Sequence, residues 1–165
     1  MSDSGEKIAV FPGSFDPLHR GHIDIALRAS RMFDGVVMAV IKNPAKDALL
    51  SIEERTSLVK EEFAGVEGVR VESFEGLLVD YLKSSGYSIV IRGLRATSDY
   101  DYEAQMALIN KNLYDEMDTV FFMAREEHSY VSSSLVKQIA PLGGDVSKLV
   151  STGVENALKK RFSQP

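Results

Sequence analysis

"KIAVFPGSFDPLHRGHIDIALRASRMFDGVVMAVI", residues 7–41, joins two short apolar runs through one helical pattern. The runs at 7–11 and 36–41 are almost uninterrupted, which is typical of strands buried on both faces of a sheet. Between them, residues 22–33 place apolar side chains at helical spacing. This stretch therefore predicts a strand, a crossover helix and a second, parallel strand.

The rest of the chain continues this alternation. Further apolar runs predict strands at 69–73, 88–92 and 119–123. Helical patterns lie at 51–63, 76–86, 98–114, 132–143 and 145–162. Ser51, followed by Glu54, forms a capping box, and Gly86 ends a helix. We predict one α/β domain, residues 1–165, with a doubly wound five-stranded parallel sheet.

Composition limits the classes of function. The 165 residues are 44% hydrophobic and 26% charged, which is typical of a globular domain. The net charge of −5 argues against duplex nucleic acid as a partner, but a small phosphorylated ligand needs only a few cations. The lack of cysteine excludes disulfides and thiolate nucleophiles. With no signal-like N-terminus and no run of about 18 apolar residues, we predict a cytoplasmic protein without a membrane partner.

The end of the first predicted strand combines several groups that suit an anion. Pro12 is expected to end the strand's ladder, and Gly13 allows the backbone to approach a ligand closely. Ser14 adds a hydroxyl group, and His22 falls in the first turn of the next helix, where free amides attract anions. Two alternatives stay open: a tight turn in which the histidines only cap the helix, and a metal shared by His19 and His22 with Asp16 as third ligand. The dinucleotide fingerprint and the Walker A pattern are both absent.

Three other predicted strands also end in groups that suit a phosphate. Lys42 and Lys46 follow the second strand, and Arg92 and Arg95 lie on either side of Gly93 at the end of the fourth. Guanidinium groups at these positions suit the clamping of oxyanions. After the fifth strand, three serines open a helix, residues 132–134. Because the carboxyl ends of parallel strands meet at one edge, these groups predict a single phosphate-binding site.

Six strings in this sequence resemble the phosphopantetheine adenylyltransferase family of the H-x-G-H nucleotidyltransferase superfamily. They are "PGSFDP" (12–17), "GHIDI" (21–25), "EER" (53–55), "IRGLR" (91–95), "DYEAQM" (101–106) and "SSSLVK" (132–137). They follow the family's order and spacing over essentially the whole chain. The resemblance implies a Rossmann-like fold and adenylyl transfer from ATP to 4′-phosphopantetheine, which gives dephospho-coenzyme A and pyrophosphate.

The resemblance also implies roles for particular residues. His22 would stabilise the transition state and contact ATP. The other residues implied at the ATP site are Ser14, Phe15, Gly93, Leu94, Arg95, Glu103, His128, Ser129, Tyr130, Val131, Ser132, Ser133 and Ser134. Those implied to bind the acceptor are Ser14, Lys46, Leu78 and Arg92. Magnesium, held mainly by the ATP phosphates, is the implied ion, and a homohexamer is the implied assembly.

The chain departs from the family at a few of these positions. The family often has threonine at the position of Ser14, another apolar residue at Leu78, threonine or serine at His19 and an aromatic residue at His128. Ser14 keeps the hydroxyl group of that threonine. His19 makes the string "HRGH" resemble the wider superfamily, and this resemblance implies that His19 would touch the nucleotide.

The implied nucleophile needs no protein base. A phosphate monoester has a second pKa of about 6, so it is already ionised at neutral pH. Catalysis then depends on alignment and on stabilising charge at the α-phosphorus. Two other functions stay open: a nucleotidyltransferase using nicotinamide mononucleotide or glycerol phosphate as acceptor, and a sensor that only binds ATP. A receiver-like signalling domain is excluded, because the third strand runs into "SFEG" rather than an aspartate.

Overall fold

The computed structural model describes residues 5–42 and 47–163, which form a five-stranded sheet and its flanking helices. The strands are β1 Ile8–Gly13, β2 Gly35–Lys42, β3 Val69–Glu75, β4 Ile89–Leu94 and β5 Asp118–Met123. The α-helices are α1 Arg20–Ala29, α2 Ile52–Glu62, α3 Leu78–Ser85, α4 Thr97–Leu113, α5 Ser133–Ile139 and α6 Thr152–Phe162. Short 3-10 helices lie at Glu126–His128 and Ala140–Leu142.

The sheet is parallel throughout, with the strand order β3-β2-β1-β4-β5. The chain builds outward from β1 to β3, and then crosses back to add β4 and β5 on the other side of β1. The predicted doubly wound α/β fold is therefore confirmed. The reversal between β1 and β4 creates the crevice in which such sheets bind ligands.

Both faces of the sheet are covered by apolar side chains. One cluster packs α1, α2, α5 and α6 against the sheet, with Ile25, Val59, Val136 and Leu158 among its buried members. A smaller cluster on the other face contains Val79 and Leu82 of α3. β2 is buried from Gly35 to Val40, which explains its continuous apolar sequence. α4 contributes no buried residue to either cluster.

Capping residues set two helix boundaries as the sequence predicts. The Ser51 hydroxyl accepts the Glu54 amide at 3.1 Å, and the Glu54 carboxylate accepts the Ser51 amide at 2.7 Å. Gly86 follows α3 with φ of 72°, a left-handed conformation that glycine adopts without a steric penalty. These reciprocal and local bonds satisfy backbone groups that a helix end leaves free.

Pro12 does not end β1 as the sequence suggested. The strand runs to Gly13, and Pro12 pairs with Ala39 of β2. On the β4 side, by contrast, paired residues stop at Val10 and Val90, so no ladder needs the amide that proline lacks. Here β1 and β4 separate, and Arg92 Nη1 donates to the Pro12 carbonyl at 2.9 Å.

The last two predicted helices are shorter than their sequence patterns. α5 ends at Ile139 and continues as the 3-10 turn that contains Pro141. α6 begins at Thr152, so residues 145–151 are not helical. Their apolar residues, such as Val146 and Val150, are buried in the core as an irregular segment. Among the helices described, none has the length and hydropathy required to cross a membrane.

Candidate active site

A cavity of about 840 Å³ opens at the carboxyl ends of β1 and β4. It lies at the point where the strand order reverses, as expected for this type of sheet. Eleven of the residues implied by the family resemblance line it: Ser14, Phe15, His22, Arg92, Gly93, Arg95, Glu103, His128, Ser132, Ser133 and Ser134. Residues separated by up to 120 positions in the chain therefore meet around one cavity.

The turn after β1 presents backbone to this cavity. Phe15 has a positive φ of 47°, and its ring is buried against Phe11 and His22. A Cβ at Gly13 would lie 2.9 Å from that ring, so only glycine fits there without displacement. Because the Phe15 side chain belongs to the core, its backbone is the part available to a ligand.

His19 and His22 cap the start of α1 reciprocally. The His22 amide donates to His19 Nδ1 at 3.4 Å, and the His19 amide donates to His22 Nδ1 at 3.3 Å. A ring nitrogen that accepts a hydrogen bond carries no proton, so the neutral tautomer of each ring has its proton on Nε2. The hydrogen bonds between these residues use Nδ1 of each ring and not Nε2, and both side chains line the cavity, which leaves His22 with a donor there.

The surroundings of the two rings disfavour their charged forms. Burial, with smaller contributions from Arg95 and His128, lowers the pKa of His19 to about 3. The pKa of His22 is held well below its usual value by burial, by His19 and by Arg92 and Arg95. Both imidazoles are therefore neutral at physiological pH, and His22 is a hydrogen-bond donor through Nε2 rather than a cation.

Arg92 is held by three hydrogen bonds. Its Nε and Nη2 donate to the Glu103 carboxylate at 2.7 and 2.6 Å, and its Nη1 donates to the Pro12 carbonyl. A guanidinium has five N–H groups, so two of them remain for another partner. Glu103, implied at the nucleotide site, thus also fixes the orientation of Arg92. Gly93 lets β4 approach α1, since a Cβ there would lie 2.5 Å from Ile25.

Arg95 pairs with α4 in a similar way. Its Nε and Nη2 donate to the Asp99 carboxylate at 3.1 and 3.2 Å, and its Nη1 lies 3.4 Å from the Val131 carbonyl. The Arg95 hydrogen bond is the largest of the effects that lower the pKa of Asp99. Two carboxylates one helical turn apart on α4 therefore orient Arg92 and Arg95.

The serines that open α5 differ in their hydroxyl partners. Ser132 is the N-cap and accepts the Leu135 amide at 3.1 Å, while Ser133 donates to the Pro17 carbonyl at 2.8 Å. Ser134 is exposed and makes no side-chain hydrogen bond to a residue that the structure describes. Two of the three hydroxyls thus hold the helix in place, and one is available to a ligand.

The other implied site residues lie beside the cavity or outside the described chain. Leu78 begins α3 and packs partly buried against the smaller cluster. Leu94 and Val131 are buried, Ser129 is outside the cavity lining, and the Tyr130 side chain is 62% exposed. Lys46 falls within residues 43–46, which the structure does not describe. Lys42 pairs with Glu75 at 3.0 Å.

Asp16 and Lys137 line the cavity but were given no role in phosphate binding. The Asp16 carboxylate accepts the Leu49 and Leu50 amides, each at 2.9 Å, and lies 3.2 Å from Lys137 Nζ. With these partners, Asp16 does not join the two histidines as a metal ligand. Within residues 5–42 and 47–163, no three His, Cys, Asp or Glu side chains form a group that could hold a metal ion.

Arg55 also lines the cavity, and sequence reasoning left it without a role. It is 4% exposed and donates to the carbonyls of Leu50, Ser14 and Ile41. The string "EER" at 53–55 was a signal that this arginine matters. Its partners could not be inferred, because backbone carbonyls have no sequence signature.

Comparison with known proteins adds an independent line of evidence. The model of the cytidylyltransferase-like family matches residues 10–139. The phosphopantetheine adenylyltransferase of Thermotoga neapolitana is 50% identical over 157 residues, which is 95% of this chain and 98% of that protein.

Solved structures support the fold. A bifunctional NMN adenylyltransferase/ADP ribose pyrophosphatase from Francisella tularensis aligns with a TM-score of 0.73 at 16% identity, over 97% of this chain and 51% of that longer protein. Plasmodium falciparum nicotinic acid mononucleotide adenylyltransferase, complexed with NaAD, aligns with a TM-score of 0.72 at 12% identity, over 97% of both chains. At such identities the likeness concerns the fold alone. Sequence identity over nearly the full length goes further: the chain belongs to the phosphopantetheine adenylyltransferase family and is a nucleotidyltransferase.

Proposed function

We propose that this enzyme transfers the adenylyl group of ATP to 4′-phosphopantetheine and releases dephospho-coenzyme A and pyrophosphate. The relatives' name supports both the reaction and its place in coenzyme A synthesis. The observation that carries the mechanism is the His22 imidazole, which is neutral and keeps its Nε2 proton for a partner in the cavity. The cytoplasmic location remains a prediction from the sequence.

The proposed step is an in-line displacement at the α-phosphorus of ATP. An oxygen of the acceptor phosphate forms the new P–O bond, while the bond to the bridging oxygen of the β-phosphate breaks and pyrophosphate leaves. The attacking phosphate is already ionised at neutral pH, so no protein group has to remove a proton. His22 Nε2–H donates to an α-phosphate oxygen, whose charge changes in the transition state.

In the proposal, three cations bind the two substrates. In the proposal Arg95 contacts ATP phosphates and Arg92, with Lys46, contacts the acceptor phosphate. Both arginines can keep their α4 carboxylates when ligand binds, because each uses only three of its five N–H groups on described residues. The carboxylates hold the guanidinium planes before the ligand arrives, which lowers the entropy lost on binding.

The remaining assignments divide between the two substrates. Ser14 reaches both, and Leu78 contacts the pantetheine arm through its backbone. The residues proposed to line the nucleotide are Phe15, Gly93, Leu94, Glu103, His128, Ser129, Tyr130, Val131, Ser132, Ser133 and Ser134. Most of these residues line the cavity, which supports the assignment. Leu94 and Val131 have buried side chains, so they would reach a ligand only through their backbones.

Magnesium enters the proposal as the ion carried by the ATP phosphates. When bound with ATP, it would neutralise part of the phosphate charge. The described residues offer no cluster of protein ligands for it, so we assign it none.

We also propose that the chain forms a homohexamer. The family resemblance supplies the number of copies, and α4 supports self-association. Its 17 residues include none that is buried, although several are large and apolar: Tyr100, Met106, Leu108, Ile109 and Leu113. An exposed apolar surface of this kind marks an interface more often than free solvent contact.

A coupled pyrophosphate assay tests the reaction and its acceptor. ATP is supplied with 4′-phosphopantetheine, nicotinamide mononucleotide or glycerol phosphate in parallel, and dephospho-coenzyme A is identified by mass. We expect turnover with 4′-phosphopantetheine. Turnover with nicotinamide mononucleotide or glycerol phosphate, but not with 4′-phosphopantetheine, would refute the substrate assignment. ATP binding without turnover of any acceptor would indicate a sensor.

A further inference from the structure

Arg55 is a buried cation that makes no ion pair with any described residue. It lies in the first turn of α2, lines the cavity and is 4% exposed. The other three cations of the cavity lining, Arg92, Arg95 and Lys137, each have a carboxylate partner within 3.2 Å. Burying a charge without such a partner is costly unless hydrogen bonds replace it.

The hydrogen bonds of Arg55 all go to backbone carbonyls. Nε donates to Leu50 at 3.0 Å, and Nη1 donates to Ser14 at 2.6 Å and to Ile41 at 2.9 Å. These three carbonyls belong to the turn after β1, to β2 near its end, and to the residue just before the N-cap of α2. Arg55 thus joins three separate segments at the rim of the cavity.

The contact with Ser14 fixes the orientation of one peptide unit. In a trans peptide the carbonyl and the following amide point in opposite directions. Because the Ser14 carbonyl points toward Arg55, the Phe15 amide points away from it. That amide has no hydrogen-bond partner within the described chain, and both Ser14 and Phe15 line the cavity.

We propose that Arg55 is a positioning residue that holds the Ser14–Phe15 peptide with its amide free to bind a phosphate oxygen of the nucleotide. The inference rests on the proposed function in one respect: it takes ATP as the anion that the Phe15 amide binds. Arginine suits this role because its planar fork reaches three carbonyls at once, whereas the single ammonium of lysine cannot hold the same set. Arg55 itself touches no substrate in this assignment.

The variants Arg55→Lys and Arg55→Gln test the proposal. For each we would measure the melting temperature, the ATP Kd by calorimetry without acceptor, and KM and kcat with both substrates. We expect the ATP Kd and KM to rise about tenfold, as for the loss of one hydrogen bond, with kcat changed less than threefold. Arg28→Lys is the matched control, since Arg28 also donates to a carbonyl, that of Met123, but lies outside the cavity lining.

A purely structural role makes a different forecast. Loss of folded enzyme would lower the melting temperature and the apparent kcat while leaving the ATP Kd and KM unchanged, and that result would overturn the proposal. So would an ATP Kd within twofold of the wild type in both variants. Calorimetry needs no turnover, so it reports on Arg55 even if the wild type fails to make dephospho-coenzyme A, which would refute only the proposed function.

A crystal structure of the wild-type chain with ATP gives a readout that does not depend on how the variants fold. We expect the Arg55–Ser14 hydrogen bond to persist and the Phe15 amide to lie within hydrogen-bond distance of a phosphate oxygen. A rotated Ser14–Phe15 peptide, or an amide that faces no ligand oxygen, would refute the positioning role.

Discussion

The imidazole rings of His19 and His22 stack with their centroids 3.5 Å apart, and each ring accepts the backbone amide of the other residue. Each Nδ1 is therefore occupied, and each ring keeps its proton on Nε2. The pair leaves two neutral donors at the start of α1, where both side chains line the cavity. Neutral donors stabilise growing negative charge without the cost of burying two cations side by side.

The first prediction concerns His22 as the donor to the α-phosphate. His22→Ala should lower kcat about 10²–10³-fold, because a donor aimed at transition-state charge is lost, while both KM values change little. Steady-state kinetics and a melting curve measure this. If the variant is folded and keeps near-full kcat, the catalytic role of His22 is wrong.

The second prediction concerns the stability of the protein in acid. The folded-state pKa of His19 is about 3, below its unfolded value of 6.5, so on acidification the unfolded chain takes up the proton first. Stability is therefore complete above pH 6.5 and falls as the pH drops from 6.5 toward 3. At pH 5.5 this site should cost on the order of 1 kcal/mol of unfolding free energy relative to pH 7.5. His19→Asn should show a smaller loss over that range in denaturant titrations; an equal loss would contradict the assignment.

The third prediction separates the two arginines by substrate. Arg92→Ala should raise the acceptor KM more than the ATP KM, and Arg95→Ala should weaken ATP use by roughly 1.5–3 kcal/mol, as expected for a charged hydrogen bond. Initial rates at subsaturating concentrations of each substrate measure both. If Arg92→Ala raises only the ATP KM, the assignment of Arg92 to the acceptor is wrong. If Arg95→Ala leaves the ATP kinetics unchanged, the assignment of Arg95 to ATP is wrong.

The fourth prediction concerns the carboxylate that orients Arg92. Glu103→Gln keeps the shape of the side chain but removes the charge that accepts from Arg92 at two positions. We expect a higher acceptor KM with kcat reduced less, because the guanidinium loses its fixed orientation before binding. Glu155→Gln is the control, since Glu155 pairs with Lys159 on α6, away from the cavity lining. Equal KM values for Glu103→Gln and the wild type would argue against an orienting role.

The fifth prediction concerns assembly through α4. Leu108 is 67% exposed on that helix, so Leu108→Lys should place a charge in the proposed interface and dissociate the proposed hexamer. Light scattering should show the mass falling toward the 18.2 kDa of one chain. Met32→Lys, at a 69% exposed residue just after α1, is the control. An unchanged mass for Leu108→Lys would place the interface elsewhere.

Local patterns in the sequence predicted most of the fold. The five apolar runs became the five strands, and the capping box of Ser51 and Glu54 opens α2 as expected. Where the pattern failed, a tertiary contact or a helix breaker was the cause. Residues 145–151 bury apolar side chains without a helix, and Pro12 stays in β1 because its β4 side needs no amide.

By itself, the sequence determined the order of strands and helices along the chain, and it indicated the sheet edge at which the proposed phosphate-binding groups meet. Both follow from local information: apolar periodicity sets each element, and parallel strands bring their carboxyl ends to one edge. Only the tertiary structure decided which partner each group has. The carbonyls held by Arg55, the Glu103 carboxylate on Arg92 and the paired Nδ1 atoms of the two histidines depend on distances and directions that spacing along the chain does not encode. A hydrogen bond requires alignment within a few tenths of an ångström, which only packing of the whole domain provides.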